Sequence, residues 1–334
     1  MYKISVLVPI YKVEGYISKC AESICSQNYQ NLELVFVNDC TPDKSMDVLN
    51  EVLKKYPERK HQIKIVNHQK NRGSAAARNT ALENATGDFV TWVDADDWLE
   101  KDAIQIMVDK QKENDADIVT GWSYEVNKDG INTFLQPTYQ TREEMLNCLW
   151  PHAKFNHVLW GRIIRKELYR SDVRCEEGCN QSEDFRLVMP VIYYSKRIST
   201  VESFVYYYNR ANKNAQCFYS SDAHNIMKWK QHKENHFWVV RFFKNKGEGF
   251  NKKVEGESSI RYLDRWLNLS AKYNERSFFE ETLVQIRNEY KDYYYACRFN
   301  NPMYRVLVLN FSFYRIFFRL YDHLKYMRGS RGLK

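Results

Sequence analysis

"FVTWVDADDWLE", residues 89–100, decides the reading of this chain. Phe89, Val90, Thr91, Trp92 and Val93 make an apolar run rich in aromatic and β-branched residues, which suits a buried strand. The run leads straight into Asp94, Asp96 and Asp97. In open α/β sheets, ligands bind just outside the carboxyl ends of the strands, so an acidic strand end is a candidate site. Asp94 and Asp96 alternate and can aim two carboxylates the same way. Two hard oxygen donors suit Mg2+ or Mn2+, which complete their shell with water and substrate phosphates. Asp97 has a local explanation instead. With Glu100 three residues on, it reads as a capping box opening the next helix.

Upstream, strand and helix patterns alternate. "ISVLVPI" is continuously apolar, as expected for a strand covered on both faces. Ile17, Cys20, Ala21, Ile24 and Cys25 recur at helical spacing. "LELVFV" is a second strand, ending near Asp39. Asp43 then caps a second helix over Met46, Leu49 and Leu53. "IKIVN" is a third strand, and "SAAARNTALENA" is a strong helix former stopped by Thr86 and Gly87. "AIQIMV" lies in the helix after residue 100, and "DIVTG" is one more strand. Such alternation implies right-handed crossovers and an α/β fold with a Rossmann-like, mostly parallel sheet between helices. Beyond about residue 120 the pattern loosens, and a helical C-terminal extension is expected. The expected organisation is 1–115, 116–220 and 221–334.

The chain has 334 residues, 44% of them hydrophobic, enough for a large core. Its formal charge of +8 is unevenly placed. Residues 1–110 carry 14 Lys and Arg against 16 Asp and Glu, whereas residues 291–334 carry 9 against 2. A basic tail beside a near-neutral body points to a local partner and not to nucleic acid held by the whole surface. No stretch approaches the ~20 apolar residues of a membrane-spanning helix. The run Ile4–Ile10 is too short for a secretory signal. Eight scattered Cys without zinc-site spacing read as reduced thiols, so a cytoplasmic protein is expected.

Two longer stretches carry a resemblance. "VPIYKVEGYISKCAESICSQNYQNLELVFVNDCTPDKS" and "NRGSAAARNTALENATGDFVTWVDADDWL" together resemble the nucleotide-sugar domain of family two glycosyltransferases, the inverting GT-A type. The resemblance implies a UDP-sugar donor with Mn2+ or Mg2+. It also implies that Pro9 and Tyr11, with Glu14 nearby, wall the nucleoside, and that Asp39 hydrogen-bonds the uracil. Arg72, Gly73 and Arg78 would face the nucleotide and ribose. A helix N-terminus and an Arg both favour a diphosphate. An internal salt bridge is the alternative for Arg78. Asp94 would lie near the ribose and the metal, and Asp96 would bind the metal. One departure stands out: the family follows its Asn-Asp with Gly-Ser, and here Cys40 and Thr41 take those places. The same turn is expected.

An inverting transferase also needs a general base within reach of the acceptor hydroxyl. "EEGCNQSEDFRLVMPVIYYS" resembles the family's Glu-Asp motif at a helix start, which implies Asp184 as base with Glu183 supporting it. The bland alternative is that both acids only favour the helix N-terminus. "HVLWGRIIRKELYR" resembles the segment beside the acceptor. Trp160 would stack on a sugar ring, and His157 and Arg162 would approach the diphosphate, unless they serve packing or the surface. His232 and His236 read as a solvated helix face.

In the tail, Val306, Leu309, Phe313, Ile316, Phe317, Leu320, Leu324 and Met327 recur at helical spacing, with Arg315, Arg319 and Asp322 on another side. This suits either a helix in a membrane interface or one packed on the protein's own core. The former would bring the chain to the inner face of the membrane and to a lipid-linked glycan acceptor. The leading reading is therefore transfer of a sugar onto a growing cell-surface glycan, of capsule or O-antigen type. A sugar nucleotidyltransferase is disfavoured, because "PIYKVEGY" stands where that class has a Gly-rich basic loop. A binding protein on a decayed enzyme scaffold is disfavoured by the presence of both Asp96 and Asp184.

Overall fold

The computed structural model describes residues 1–134, 141–149, 158–212, 226–246, 263, 266–270, 273–289, 311, 312, 314 and 316. Two compact units emerge: Met1–Ser221 with Gln231–Phe242, and Asp222–Lys230 with Phe243–Lys334. The first carries nine strands: β1 (Ile4–Ile10), β2 (Leu32–Asn38), β3 (Ile63–Asn67), β4 (Phe89–Trp92), β5 (Trp98–Leu99), β6 (Ile118–Asn127), β7 (Gly130–Phe134), β8 (Arg162–Arg165) and β9 (Ile198–Asn209). Helices α1 (Ile17–Cys25), α2 (Ser45–Leu53), α3 (Ser74–Asn84), α4 (Ala103–Asn114), α5 (Arg142–Leu149) and α6 (Glu183–Tyr194) connect them, and α7 (Ile226–Asn245) follows.

The strand order is β3-β2-β1-β4-β8-β6-β9-β5, with β7 on β6. Strands β1 to β4 are parallel neighbours, as the alternating pattern requires. Beyond β4 the sheet is mixed. β8 runs antiparallel to both β4 and β6, β9 runs parallel to β6, and β5 pairs antiparallel with β9. The link from β4 to β5 is too short for a parallel crossover, which needs a dozen or more residues. The chain therefore leaves the β4 end at Asp94–Asp97 and rejoins the sheet at its far edge. β1 and β2 are buried on both faces, and their apolar runs pack with α1, α2 and α4 into one core.

The Thr-Gly-Asp turn after α3 is sewn to β1 and β2. Glu33 accepts the Thr86 N–H at 2.7 Å, the Ser5 hydroxyl at 2.6 Å and the Thr86 hydroxyl at 2.7 Å. Burial alone would raise the Glu33 carboxyl, but these bonds hold it at about 2. Gly87 donates its N–H to Ser5 Oγ at 2.9 Å.

The second unit, by its described residues, has helix α8 (Arg276–Glu289) and an aromatic cluster. Phe278 lies 5.9 Å from Trp229 and Phe279 lies 5.1 Å from Tyr314, ring centroid to centroid. Most of the amphipathic stretch 302–327 falls outside the described residues, but Tyr314 is buried and donates to Asn268 Oδ1 at 2.6 Å. No helix among the described residues is long and apolar enough to cross a membrane.

Gly87 has no room for a side chain. A Cβ there would lie 2.7 Å from the Lys3 carbonyl oxygen and 2.8 Å from the Ser5 nitrogen. Gly87→Ala should lower stability in urea unfolding by about 1–3 kcal/mol, the range for overpacking a tight site. Gly15→Ala, with nothing within 4 Å of its Cβ, is the near-neutral control.

Candidate functional site

The carboxyl ends of β1, β2 and β4 converge, and the acids predicted from sequence lie there. Asp39 follows β2 and is 2% exposed. Its carboxylate accepts the backbone N–H groups of Arg72 at 2.8 Å and Gly73 at 2.7 Å. His68 Nδ1 lies 2.7 Å from Asp39 Oδ1, and His68 Nε2 lies 2.9 Å from the Thr80 hydroxyl. Asp39 thus ties the 72–73 turn to α3. Cys40 adopts φ +54°, a left-handed conformation that disfavours a side chain. Pro9 pairs with Val37 at the end of β1, and Tyr11 follows it. Glu14 accepts the Lys44 N–H at 2.9 Å and so joins this loop to the start of α2. Asp43 accepts the Ser45 N–H at 3.2 Å, but the cap position of α2 is held by Lys44 and not by the acid expected there.

Arg78 lies at the centre. It is 6% exposed, projects from α3 and lies 5.3 Å from the Trp92 ring. Its Nη2 meets Asp94 Oδ1 at 3.0 Å and Asp184 Oδ1 at 4.0 Å, while its Nε meets Glu183 Oε1 at 3.4 Å. The internal salt bridge foreseen for Arg78 therefore exists, and it joins the strand-end acids to the Glu-Asp motif at the start of α6. Burial disfavours the guanidinium charge, but Asp94, Asp184 and Glu183 sustain it. Burial, then the like charge of Asp184, push the Glu183 carboxyl up to about 7 against the pull of Arg78. Burial also raises Asp184; Arg78 opposes it and Asp94 adds to it.

The Asp94–Asp97 segment is clamped by the end of β9. The Tyr206 hydroxyl donates to Asp97 Oδ2 at 2.7 Å and accepts the Asp94 N–H at 3.1 Å. Asn209 donates its backbone N–H to Asp97 at 2.7 Å and its side-chain amide to the Asp96 carbonyl at 3.1 Å. Asn212 donates to Asp96 Oδ2 at 2.7 Å. The capping role expected for Asp97 is overturned. Asp97 is 1% exposed and belongs to this clamp, residues 98–99 form β5, and α4 starts only at Ala103 after Asp102. Burial, then Asp96 and Asp94, push its carboxyl well above the usual range.

Among the described residues no group of three His, Cys, Asp or Glu could hold a metal ion. Asp94 and Asp96 nevertheless fit a hard divalent cation. They are oxygen donors at one strand end, and Asp96 is raised by burial and by its repulsion from Asp94, a strain that a cation would relieve.

Other expected residues are placed differently. At the N-terminus of α3, Asn180 Oδ1 takes the Ala75 N–H at 3.1 Å, and Asp39 takes that of Gly73. Arg72 pairs with Glu177. Trp160 is 5% exposed and stacks on Tyr206 at 4.6 Å, within the core. Arg162 is buried in β8 and donates to the Thr120 hydroxyl at 3.2 Å. His157 lies outside the described residues. The solvated face expected for His232 and His236 is overturned, because His236 is 1% exposed and stacks on Phe185, while His232 meets Ser182 Oγ. His68, Tyr206, Asn209 and Asn212 had no motif around them to mark them, since their partners are distant in sequence.

The raised Glu183 gives a pH test. Its carboxyl ordinarily ionises near 4.5 and in the fold near 7. Between these values the folded chain holds the proton more tightly than the unfolded one, so stability falls as pH rises through that window. Glu183→Gln, neutral throughout, should flatten the profile of melting temperature between pH 5 and pH 8. An unchanged slope would show that the carboxyl is not held as described.

The model of the Glycosyl transferase family 2 matches residues 5–172, half of the chain, including Asp39, Arg78, Asp94 and Asp96. The chain is 34% identical over 212 residues to the glycosyltransferase GlyA of Streptococcus pneumoniae serotype 4, covering 59% of this chain and 30% of that protein. It is 28% identical over 211 residues to the poly(ribitol-phosphate) beta-glucosyltransferase of Bacillus spizizenii, covering 62% and 32%. The chain spans less than two thirds of the length of the curated relatives it matches first. Its fold is similar to that of S. aureus TarS 1-349 in complex with UDP, with a TM-score of 0.57, 22% identity and coverage of 96% and 91%. The chain thus belongs to glycosyltransferase family 2 and has the GT-A fold.

Proposed function

We propose that this chain transfers a sugar from a UDP-sugar to a hydroxyl of a growing cell-surface glycan, with inversion at the anomeric carbon. The observation that carries the proposal is Arg78, hydrogen-bonded to Asp94 and Glu183 and 4.0 Å from Asp184. This contact supports reading Asp94 as a nucleotide-side acid and Asp184 as the base of the same site. The names of the relatives, which include a poly(ribitol-phosphate) beta-glucosyltransferase, support a cell-surface acceptor, and the UDP bound to TarS supports the donor.

In this reading Pro9, Tyr11 and Asp39 hold the nucleoside. Asp184, raised by burial, is a stronger base than an exposed carboxylate and takes the proton of the acceptor hydroxyl. The hydroxyl oxygen bonds to the anomeric carbon as the bond from that carbon to the diphosphate breaks on the opposite face, and UDP leaves. Glu183, raised by burial to about 7, is only partly ionised near neutral pH, which lessens the negative charge beside the base. A divalent Mg2+ or Mn2+ held by Asp94 and Asp96 would neutralise charge on the diphosphate. A lipid-linked acceptor reached through the basic tail extends the same reading.

Four measurements test it. Asp184→Asn keeps the shape of the side chain and removes the proton acceptor. Transfer should fall by about 10²–10⁴-fold, the usual worth of a general base, while UDP binding is retained. The donor panel is UDP-glucose, UDP-galactose and UDP-N-acetylglucosamine, read as UDP released; release of none would refute the donor class. Product from an α-linked donor should be β-linked by NMR, and an α-linked product would refute inversion. Asp96→Ala should lose the stimulation of UDP binding by Mn2+ in calorimetry, and undiminished stimulation would remove Asp96 from the metal site.

A further inference from the structure

Helix α3 carries more than Arg78. Asn79, the next residue, uses both ends of its amide on one backbone unit of the segment before α6. Its Nδ2 donates to the Cys175 carbonyl at 3.0 Å, and its Oδ1 accepts the Cys175 N–H at 2.9 Å. One turn earlier, Asn180 reaches back to accept the Ala75 N–H at 3.1 Å. Gly73 permits this approach, because a Cβ there would run into the Asn180 carboxamide. Both bonds span about a hundred residues of sequence. Together they lay residues 175–180 along α3, immediately before Glu183 and Asp184. On the other side of the same strap, Gln231 Oε1 accepts the Asn180 N–H at 3.0 Å, and Asn235 donates to the Gln181 carbonyl at 2.8 Å.

We infer that Asn79 and Asn180 are positioning residues that set Asp184 against the nucleotide half of the site, an inference that rests on the function proposed above. α3 is tied to the nucleotide half by Asp39, which holds the 72–73 turn, and by Thr80, which meets His68. The base arrives on a separate segment, and its distance from the anomeric carbon is set by how that segment is registered on α3. A bidentate amide is suited to this task, since it fixes both the height and the direction of the Cys175 peptide. Neither Asn touches Asp39, Asp94 or Asp96, so the latch acts on the placement of the base and not on capture of the nucleotide. A displacement of about 1 Å of a catalytic group can lower turnover by about 10²-fold.

The test uses the full chain and two readouts: calorimetric affinity for UDP with Mn2+, and turnover with whichever UDP-sugar of the panel the wild-type chain uses. Asn79→Ala and Asn180→Ala should each lower kcat by about 10²-fold and leave UDP affinity within about twofold. Asn180→Asp keeps an acceptor oxygen for the Ala75 N–H and should restore most of the turnover. This pair decides the matter if Asn79→Ala fails to fold. Unchanged turnover in the Ala variants, a UDP affinity that falls in step with turnover, or Asn180→Asp as slow as Asn180→Ala would each overturn the inference. A wild-type chain that binds no UDP would overturn the donor reading itself, and the latch with it.

Discussion

The site depends on one buried cation. The Arg78 guanidinium is nearly inaccessible to water and lies among Asp94, Glu183 and Asp184. Burying a charge in this way carries a penalty of several kcal/mol, which is offset only when partners with good geometry surround it. The reverse also holds. Three carboxylates could not share this volume without a cation between them, because each would raise the others. Arginine suits the position better than lysine, since its planar fork reaches carboxylates on two sides at once and resists losing its proton.

That constraint explains why acids of similar chemistry behave differently. Asp94 stays partly open to solvent and is paired with Arg78. Asp96 is held by Asn212, and Asp97 is sealed by Tyr206 and Asn209. Glu183 is the more strongly sheltered of the α6 pair, and burial lifts its carboxyl to about 7; Arg78 opposes the rise at both Glu183 and Asp184. Burial is the largest cause of the rise at both carboxyls.

β9 is the second support. In sequence its run "FVYYYN" shows only a rise in aromatic content. In the fold it lies parallel to β6 and delivers Tyr206 and Asn209 to the acidic strand end. The short link from β4 to β5 makes this possible, since it sends the chain through the site before β5 closes the far edge of the sheet. The mixed half of the sheet is therefore part of how the site is built.

The sequence by itself determined a good deal. Continuous apolar runs marked β1 to β4, helical spacing marked α1 to α4, and the acids at strand ends marked Asp39, Asp94 and Asp96. These signals are local: a strand buried on both faces and a helix with one apolar face announce themselves within ten residues. The Glu183–Asp184 motif was also legible, through its resemblance to a family and its place at a helix start. Only the tertiary structure decided the rest. Asp97 satisfied the local pattern of a cap, yet two partners on β9 claimed it, because a buried carboxylate takes the strongest available donors wherever they lie in sequence. His236 matched a solvated spacing and instead packs on Phe185. At the α3 N-terminus, Asn180 takes the Ala75 N–H, a partner no local pattern announces. In each case the deciding partner sits far away in the chain, where periodicity and capping rules carry no information.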